Sequence, residues 1–189
     1  MRQEKLLPYR RRTISSSRRV VLEIGVGTGL NLPLYRDVDC VCAIDPASEV
    51  LEYAKQRMKQ ARSRVLLART SAEKLPFTAG SFDTVVMTWT LCTIPDPLVA
   101  LREMRRVLKP EGRLLFVEHG LAPDRNVAWW QDKLTPLWRR ASGGCHLNRK
   151  TDELIRAAGF RIEELHTGYM DGPKPMTFMY EGFAIPQPG

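Results

Sequence analysis

Two carboxylates bracket three closely spaced glycines early in this chain, and together they define what could bind there. Glu23 stands two residues before Gly25, the glycines follow as Gly25, Gly27 and Gly29, and Asp45 comes twenty positions after the first of them. Glycine lacks a Cβ, so the stretch can turn sharply, visit positive φ and let a ligand touch main-chain atoms. A dinucleotide-binding turn spaces its glycines as G-x-G-x-x-G and seats a pyrophosphate on the helix that follows. Here the spacing is G-x-G-x-G, and Glu23 would repel a pyrophosphate while suiting an ammonium or sulfonium group. Asp45 closes an apolar run over 40–44, where a carboxylate is placed to accept hydrogen bonds from both hydroxyls of a ribose. The pattern calls for a nucleoside with a cationic tail and points away from NAD.

Such groups need a strand-turn-helix-strand frame to hold them. Residues 20–24 are apolar and rich in β-branched side chains, the composition of a buried strand. Further strands are predicted over 40–44, 64–68, 82–89 and 113–118. A short helical piece over 30–36, limited by Pro33, and helices over 47–62 and 97–108 separate them. Val50, Leu51, Ala54, Met58 and Ala61 form one stripe on the second helix, and Asp96-Pro97 is a helix start. The alternation implies a mainly parallel sheet covered on both faces. A helix over 126–141 places Trp130, Leu134, Leu137, Trp138 and Ala141 on one stripe, with Pro136 bending it. A last helix runs from a cap at Asn148 to Gly159, and strands over 161–166 and 176–184 close the sheet as an antiparallel pair.

A second set of reactive side chains falls at the expected ligand-facing ends of strands. Glu118 and His119 end the fifth strand and are the first candidates to touch an acceptor, with a structural hydrogen bond at a strand end as the plainer role for His119. Cys92 follows the fourth strand and suits a pocket floor; His146 beside Cys145, and Trp130, are candidate walls. No catalytic triad is apparent, so no catalytic residue is assigned. The four cysteines, at 40, 42, 92 and 145, include no C-x-x-C pair, and neither a disulfide nor a metal site is expected.

Seven Lys and Arg against Glu4 give the first nineteen residues +6 of the net charge of +8. With few apolar residues and the run Ser15-Ser16-Ser17, residues 1–19 read as a flexible basic leader to a single domain over 20–189. The same charge offers a foothold on an anionic membrane. A nucleic-acid partner is not expected, because the rest of the chain is close to neutral. No apolar stretch reaches ~18 residues and no apolar region follows the N-terminal charges, so neither a spanning helix nor a secretory signal is expected. The expected location is the cytoplasm, with peripheral membrane contact as the alternative.

Five segments occur in a telling order: residues 23–29, Asp45-Pro46, residues 71–77, residues 82–86 and Leu108 to Gly112. This set resembles class I S-adenosylmethionine (SAM) methyltransferases over about 20–183, most nearly the type 11 branch that includes quinone-biosynthesis C-methyltransferases. Leu91-Cys92, Glu118-His119 and residues 144–149 are similar to the methyltransferase-like thiol methyltransferases and their bacterial relatives. The resemblance implies an α/β, Rossmann-like class I methyltransferase fold: a seven-stranded, mostly parallel sheet with the last strand antiparallel and helices on both faces. It implies SAM as cofactor, S-adenosylhomocysteine as product and a small-molecule acceptor, with a thiol favoured. A phospholipid or quinone acceptor at a membrane surface, or cofactor binding without turnover, are the alternatives. The cofactor set it implies is Glu23, Gly25, Val26, Gly27, Thr28, Gly29, Asp45, Pro46, Ser71, Ala72, Glu73 and Thr88. Within it Glu23 would meet the ammonium end, Asp45 the ribose, and Ser71, Ala72 and Glu73 the adenine. The segment before the first strand is shorter than in such relatives, so a cover for the site would be short, rebuilt from 129–138, or supplied by another subunit.

Overall fold

The computed structural model describes residues 3–187. Its elements follow in the order α1 (Gln3–Ser15), β1 (Arg19–Ile24), β2 (Val38–Asp45), α2 (Ser48–Met58), β3 (Arg64–Arg69), β4 (Phe82–Thr88), α3 (Pro97–Val107), β5 (Leu108–His119), α4 (Arg125–Ala141), α5 (Thr151–Ala157), β6 (Phe160–Tyr169) and β7 (Phe178–Pro186), with 3₁₀ turns at Leu32–Leu34 and Lys174–Met176. One seven-stranded sheet runs β3-β2-β1-β4-β5-β7-β6. β1 to β5 are mutually parallel, and β7 inserts antiparallel between β5 and β6. The α/β fold is therefore the one the motifs imply, with the antiparallel strand lying inside the sheet rather than at its rim.

Strand side chains alternate between faces, and the core divides accordingly. Leu22, Ile24, Val85, Met87, Leu114 and Phe116 face α3 and α5, meeting Leu101, Met104 and Ile155. Val21, Val41, Ala43, Val86 and Leu115 face the opposite way, against Ile14 of α1 and Leu51 and Ala54 of α2. Because β1, β4 and β5 are covered on both sides, their sequences are nearly continuous apolar runs. α3 starts as its sequence dictates: Asp96 Oδ1 accepts from the Leu98 and Val99 amides at 3.1 and 3.0 Å, and Pro97 occupies the first turn. β5 starts earlier than expected, taking in Lys109 to Gly112 through a register shift opposite Phe82 and Thr84. α5 has no side-chain cap; Asn148 instead donates to Asp132 Oδ1 at 2.8 Å.

The first large departure is at the N-terminus, where residues 3–15 form a packed helix in place of a flexible leader. Leu6, Thr13, Ile14 and Ser17 are buried, and Arg12 makes a two-pronged ion pair to Glu181 at 2.9 and 2.7 Å. The inward positions 6, 10, 13, 14 and 17 are spaced as a helix face, but three of them are Arg10, Thr13 and Ser17, so apolar periodicity does not reveal it. Ile14→Ala is expected to cost about 2–4 kcal/mol. That lowers the thermal midpoint by roughly 4–16 °C for a domain of this size; a flexible leader would give no change in a calorimetric scan.

The second departure is α4. The expected apolar stripe does not face inward: Trp130 is 52% and Leu137 69% exposed, while the buried residues are Gln131 and Thr135. Gln131 explains the rotation. Its Oε1 accepts from the Ala122 amide at 2.8 Å, and its Nε2 donates to the Gly120 and Pro175 carbonyls at 2.9 and 3.1 Å. An amide satisfying three loop groups pins the helix polar side in. No helix among the described residues is long and apolar enough to cross a membrane.

Candidate active site

Strand order reverses between β1 and β4, and a crevice opens beyond their carboxyl ends, where open α/β sheets bind ligands. Ile24 and Gly25 form one wall, Asp45 and Pro46 a second, and Ser71 and Ala72 a third, with Thr90, Thr93 and Ile94 from the loop after β4 opposite them. Gly25, Gly27 and Gly29 all have positive φ, +64°, +52° and +81°. A Cβ at Gly25 would lie 2.3 Å from Thr90 Cγ2, and one at Gly29 would lie 3.0 Å from the Ala54 backbone of α2. The first glycine thus lets Thr90 pack against the turn and the last lets a helix approach. Asp45 knits this together: Oδ2 accepts from the Gly27 amide and Oδ1 from the Ala47 amide, both at 3.0 Å. Each oxygen keeps a further acceptor position, and Asp45 lines the crevice. Ser71 Oγ accepts from the Glu73 amide at 3.2 Å in a local turn and caps no helix. Glu73 braces the wall, Oε1 accepting from the Asp96 amide at 2.7 Å and Oε2 from Ser71 Oγ at 3.0 Å.

Glu23 and Thr88 lie behind the turn, in a buried polar cluster. Asn31 Nδ2 donates to Glu23 Oε1 at 2.8 Å and to Thr88 Oγ1 at 3.0 Å, while Arg10 of α1 donates to Asn31 Oδ1 at 2.7 Å and to Thr88 Oγ1 at 3.2 Å. Glu23 Oε2 makes no well-formed hydrogen bond but faces the buried Tyr35 hydroxyl, and burial pushes this carboxyl up to about 7 against the pull of Asn31, Tyr35 and Arg10. A buried carboxylate beside a glycine turn is a group that a ligand ammonium would satisfy. Next to it, Trp89 adopts φ +51° and leaves its buried Nε1 without a partner, with the Arg10 guanidinium 4.9 Å from its ring centroid. Backbone strain in a bulky residue is costly and gathers at functional sites.

The acceptor candidates divide. Glu118 is fully buried; its Oε1 accepts from the Thr90 and Leu91 amides at 2.9 and 3.1 Å, Oε2 is unpartnered, and burial pushes the carboxyl up to about 7. It shapes the loop after β4. His119 Nε2 lies 3.1 Å from Cys145 Sγ, and Cys92 joins them in a buried three-residue cluster. Contacts from Cys92 and His119 hold the Cys145 thiol well below its ordinary range, and the Cys92 thiol is raised in turn. His146 sits outside that cluster, its Nδ1 3.1 Å from the Cys92 carbonyl oxygen. Trp130 is half exposed on the surface and packs against Trp129, ring centroids 4.9 Å apart. Trp138 is the tryptophan that lines a cavity, of about 320 Å³, together with Leu6, Met170 and Met176.

These features match a known family. Residues 22–116, half of the chain, fit the family described as Methyltransferase domain. This chain belongs to that family. Along and beyond its methyltransferase domain it is 35% identical over 156 residues to thiol S-methyltransferase TMT1B of Rattus norvegicus, covering 80% of this chain and 64% of the relative. It is 37% identical over 101 residues to phosphatidylethanolamine N-methyltransferase of Cereibacter sphaeroides, covering 52% and 50%. The chain thus spans just under two thirds of the first relative's length and half of the second's. In fold it is similar to a SAM-dependent methyltransferase from Methanosarcina mazei, with a TM-score of 0.71 at 21% identity over 90% of this chain and 93% of that one.

In this methyltransferase domain Arg10, Thr90 and Cys145 stand at the site although their roles were not visible in the sequence. Arg10 looked like one charge of a solvated run, and Cys145 sits 26 positions from the histidine it meets. Asn31 carries the one local signal that could have been read, a polar residue two positions past the last glycine.

Proposed function

We infer that this chain transfers a methyl group from SAM to a small-molecule thiol. The observation that carries the methyl-donor half is the crevice that Gly25 and Asp45 line together at the point where strand order reverses, with the buried Glu23 carboxyl behind it. Bound there, SAM would supply an electrophilic methyl on a sulfonium whose departing thioether is neutral, so no residue need protonate a leaving group. The chain's share is to position and to exclude water. Asp45 would hold the ribose, Gly25 and Gly27 would give close main-chain approach, Glu23 would take the ammonium, and Arg10 would take the carboxylate of the amino-acid tail. In-line alignment at ~3–3.5 Å contributes about 7–11 kcal/mol in such reactions.

The thiol half draws on the apolar cavity and on the rat relative's name. Leu6 and Arg10 are four residues apart on α1, so one helix face borders both the apolar cavity and the polar cluster behind the glycine turn. Met170, Met176 and Trp138 suit a soft sulfur, and a thiol of pKa ~8.5 ionises with little help. A lipid acceptor is the second reading, favoured by the outward Trp129, Trp130 and Leu137 beside Lys133 on α4. Measuring S-adenosylhomocysteine release against alkyl and aryl thiols, phosphatidylethanolamine vesicles and quinols separates them. Turnover with thiols is expected; turnover with vesicles alone replaces this reading, and cofactor binding without turnover on any acceptor removes catalysis.

Glu23 makes cofactor binding pH-dependent. Its carboxyl, raised to about 7, must ionise to receive an ammonium, so binding releases a proton near neutrality. S-adenosylhomocysteine affinity is expected to rise roughly tenfold at most between pH 6 and 7.5, then level off as the carboxyl becomes fully ionised. Calorimetry in two buffers of different ionisation enthalpy reads the proton directly, and Glu23→Gln should abolish it.

A further inference from the structure

Three segments far apart in sequence bring soft donors together at the ligand end of the sheet. Cys92 lies in the loop after β4, His119 ends β5, and Cys145 follows α4; their ligand atoms all lie within 4.8 Å of one another, and all three residues are buried. The segments are held by hydrogen bonds independent of those three side chains. The His146 amide donates to the Cys92 carbonyl at 2.9 Å, the Arg149 guanidinium to the Leu91 carbonyl, and the Leu121 amide to the Arg149 carbonyl at 2.9 Å.

We propose that Cys92, His119 and Cys145 form a binding site for a thiophilic d¹⁰ cation, zinc(II), whose fourth coordination position is left to a small exogenous ligand. Zinc takes thiolate sulfur at ~2.3 Å and imidazole nitrogen at ~2.0–2.1 Å, so donors in a tetrahedral site stand about 3.4–3.8 Å apart. The present donors, with His119 Nε2 already 3.1 Å from Cys145 Sγ, reach that spacing by small side-chain adjustments. Two thiolates and one imidazole are a soft set that selects zinc over magnesium or calcium. Charge also balances at the site itself, because a divalent cation cancels the two buried thiolates. No fourth Cys, His, Asp or Glu joins the cluster among the described residues, which is the ligand count of an open rather than a closed zinc site. A Cys92–Cys145 disulfide would leave His119 without its sulfur partner, so it accounts for only two of the three donors. The proposal does not depend on which acceptor the enzyme uses.

The test is an anaerobic titration of the reduced, chelator-stripped full chain with cobalt(II), followed by zinc. Thiolate-to-cobalt charge-transfer and tetrahedral d–d bands saturating at one equivalent, and displaced by zinc, are expected. Cys40→Ser should keep them, whereas Cys92→Ser and Cys145→Ser should lose them, with zinc affinity falling at least ~100-fold. Zinc should also raise the thermal midpoint of the unmodified chain, a readout that needs no variant to fold. Absence of the charge-transfer band in the folded chain, or its survival in both Cys92→Ser and Cys145→Ser, overturns the proposal.

Discussion

Asp45→Ala is expected to weaken S-adenosylhomocysteine binding by roughly 100- to 1000-fold while the chain still folds, because two charge-assisted hydrogen bonds are worth about 3–4 kcal/mol together. The carboxylate has two tasks. Inward, its oxygens accept from the Gly27 and Ala47 amides at 3.0 Å; outward, the remaining lone pairs would meet the ribose. Losing the inward pair exposes two amides at a crevice open to water, a cost of about 1–2 kcal/mol and roughly 2–8 °C in thermal midpoint. Asp45→Asn is not a rescue. An amide can accept on one side only, so its NH₂ confronts either the Gly27 or the Ala47 N–H. Titration calorimetry beside a thermal scan separates the two tasks; unchanged affinity in Asp45→Ala removes the ribose assignment and with it the cofactor reading.

Gly25→Ala should be strongly damaging for the addition of a single methyl group. The residue sits at φ +64°, where a side chain costs about 1–2 kcal/mol, and its Cβ would stand 2.3 Å from Thr90 Cγ2 and 2.5 Å from Thr90 Oγ1. Thr90 cannot easily yield, since its amide is held by Glu118 and its hydroxyl donates to the Ile24 carbonyl at 3.2 Å. A total loss of about 3–5 kcal/mol, or roughly 6–20 °C, is expected together with loss of cofactor binding. Thr90→Ala in the same chain should recover part of the stability, because it removes the two closest contacts and leaves the 3.0 Å approach to the residue 90 Cβ together with the backbone strain. Equal losses in the single and double variants would show that the contact with Thr90 is not the cause.

The sheet was readable because its central strands β1, β4 and β5 carry apolar runs, and because Gly25 and Asp45 have local jobs that leave local marks. Element identity held for β1 to β7, with ends moving by a few residues as at β5. What could not be read depends on contacts between distant residues. α1 is hidden because its inward face includes Arg10, whose partners lie on β4 and in the turn after β1, and the buried Thr13. α4 is rotated by Gln131, whose three bonds reach loops on either side of it in sequence. The helical stripe containing Trp130 is real as a stripe, but hydrophobicity alone assigned it to the wrong side. The sulfur cluster is the extreme case, since no short spacing relates Cys92, His119 and Cys145.

The order of strands also bears on how the chain is made. β6 bonds only to β7, and β7 is synthesised after it, so as the nascent chain leaves the ribosome β6 waits with its hydrogen-bonding edge open. β5 waits too, holding one flank for a partner some sixty residues downstream. Folding of this half is therefore gated by the arrival of Phe178 to Pro186, and stalled or truncated chains would present bare strand edges to chaperones or to one another. The charged outward side chains of β6, among them Arg161, Glu163 and Glu164, serve as guards during that interval as well as in the finished protein.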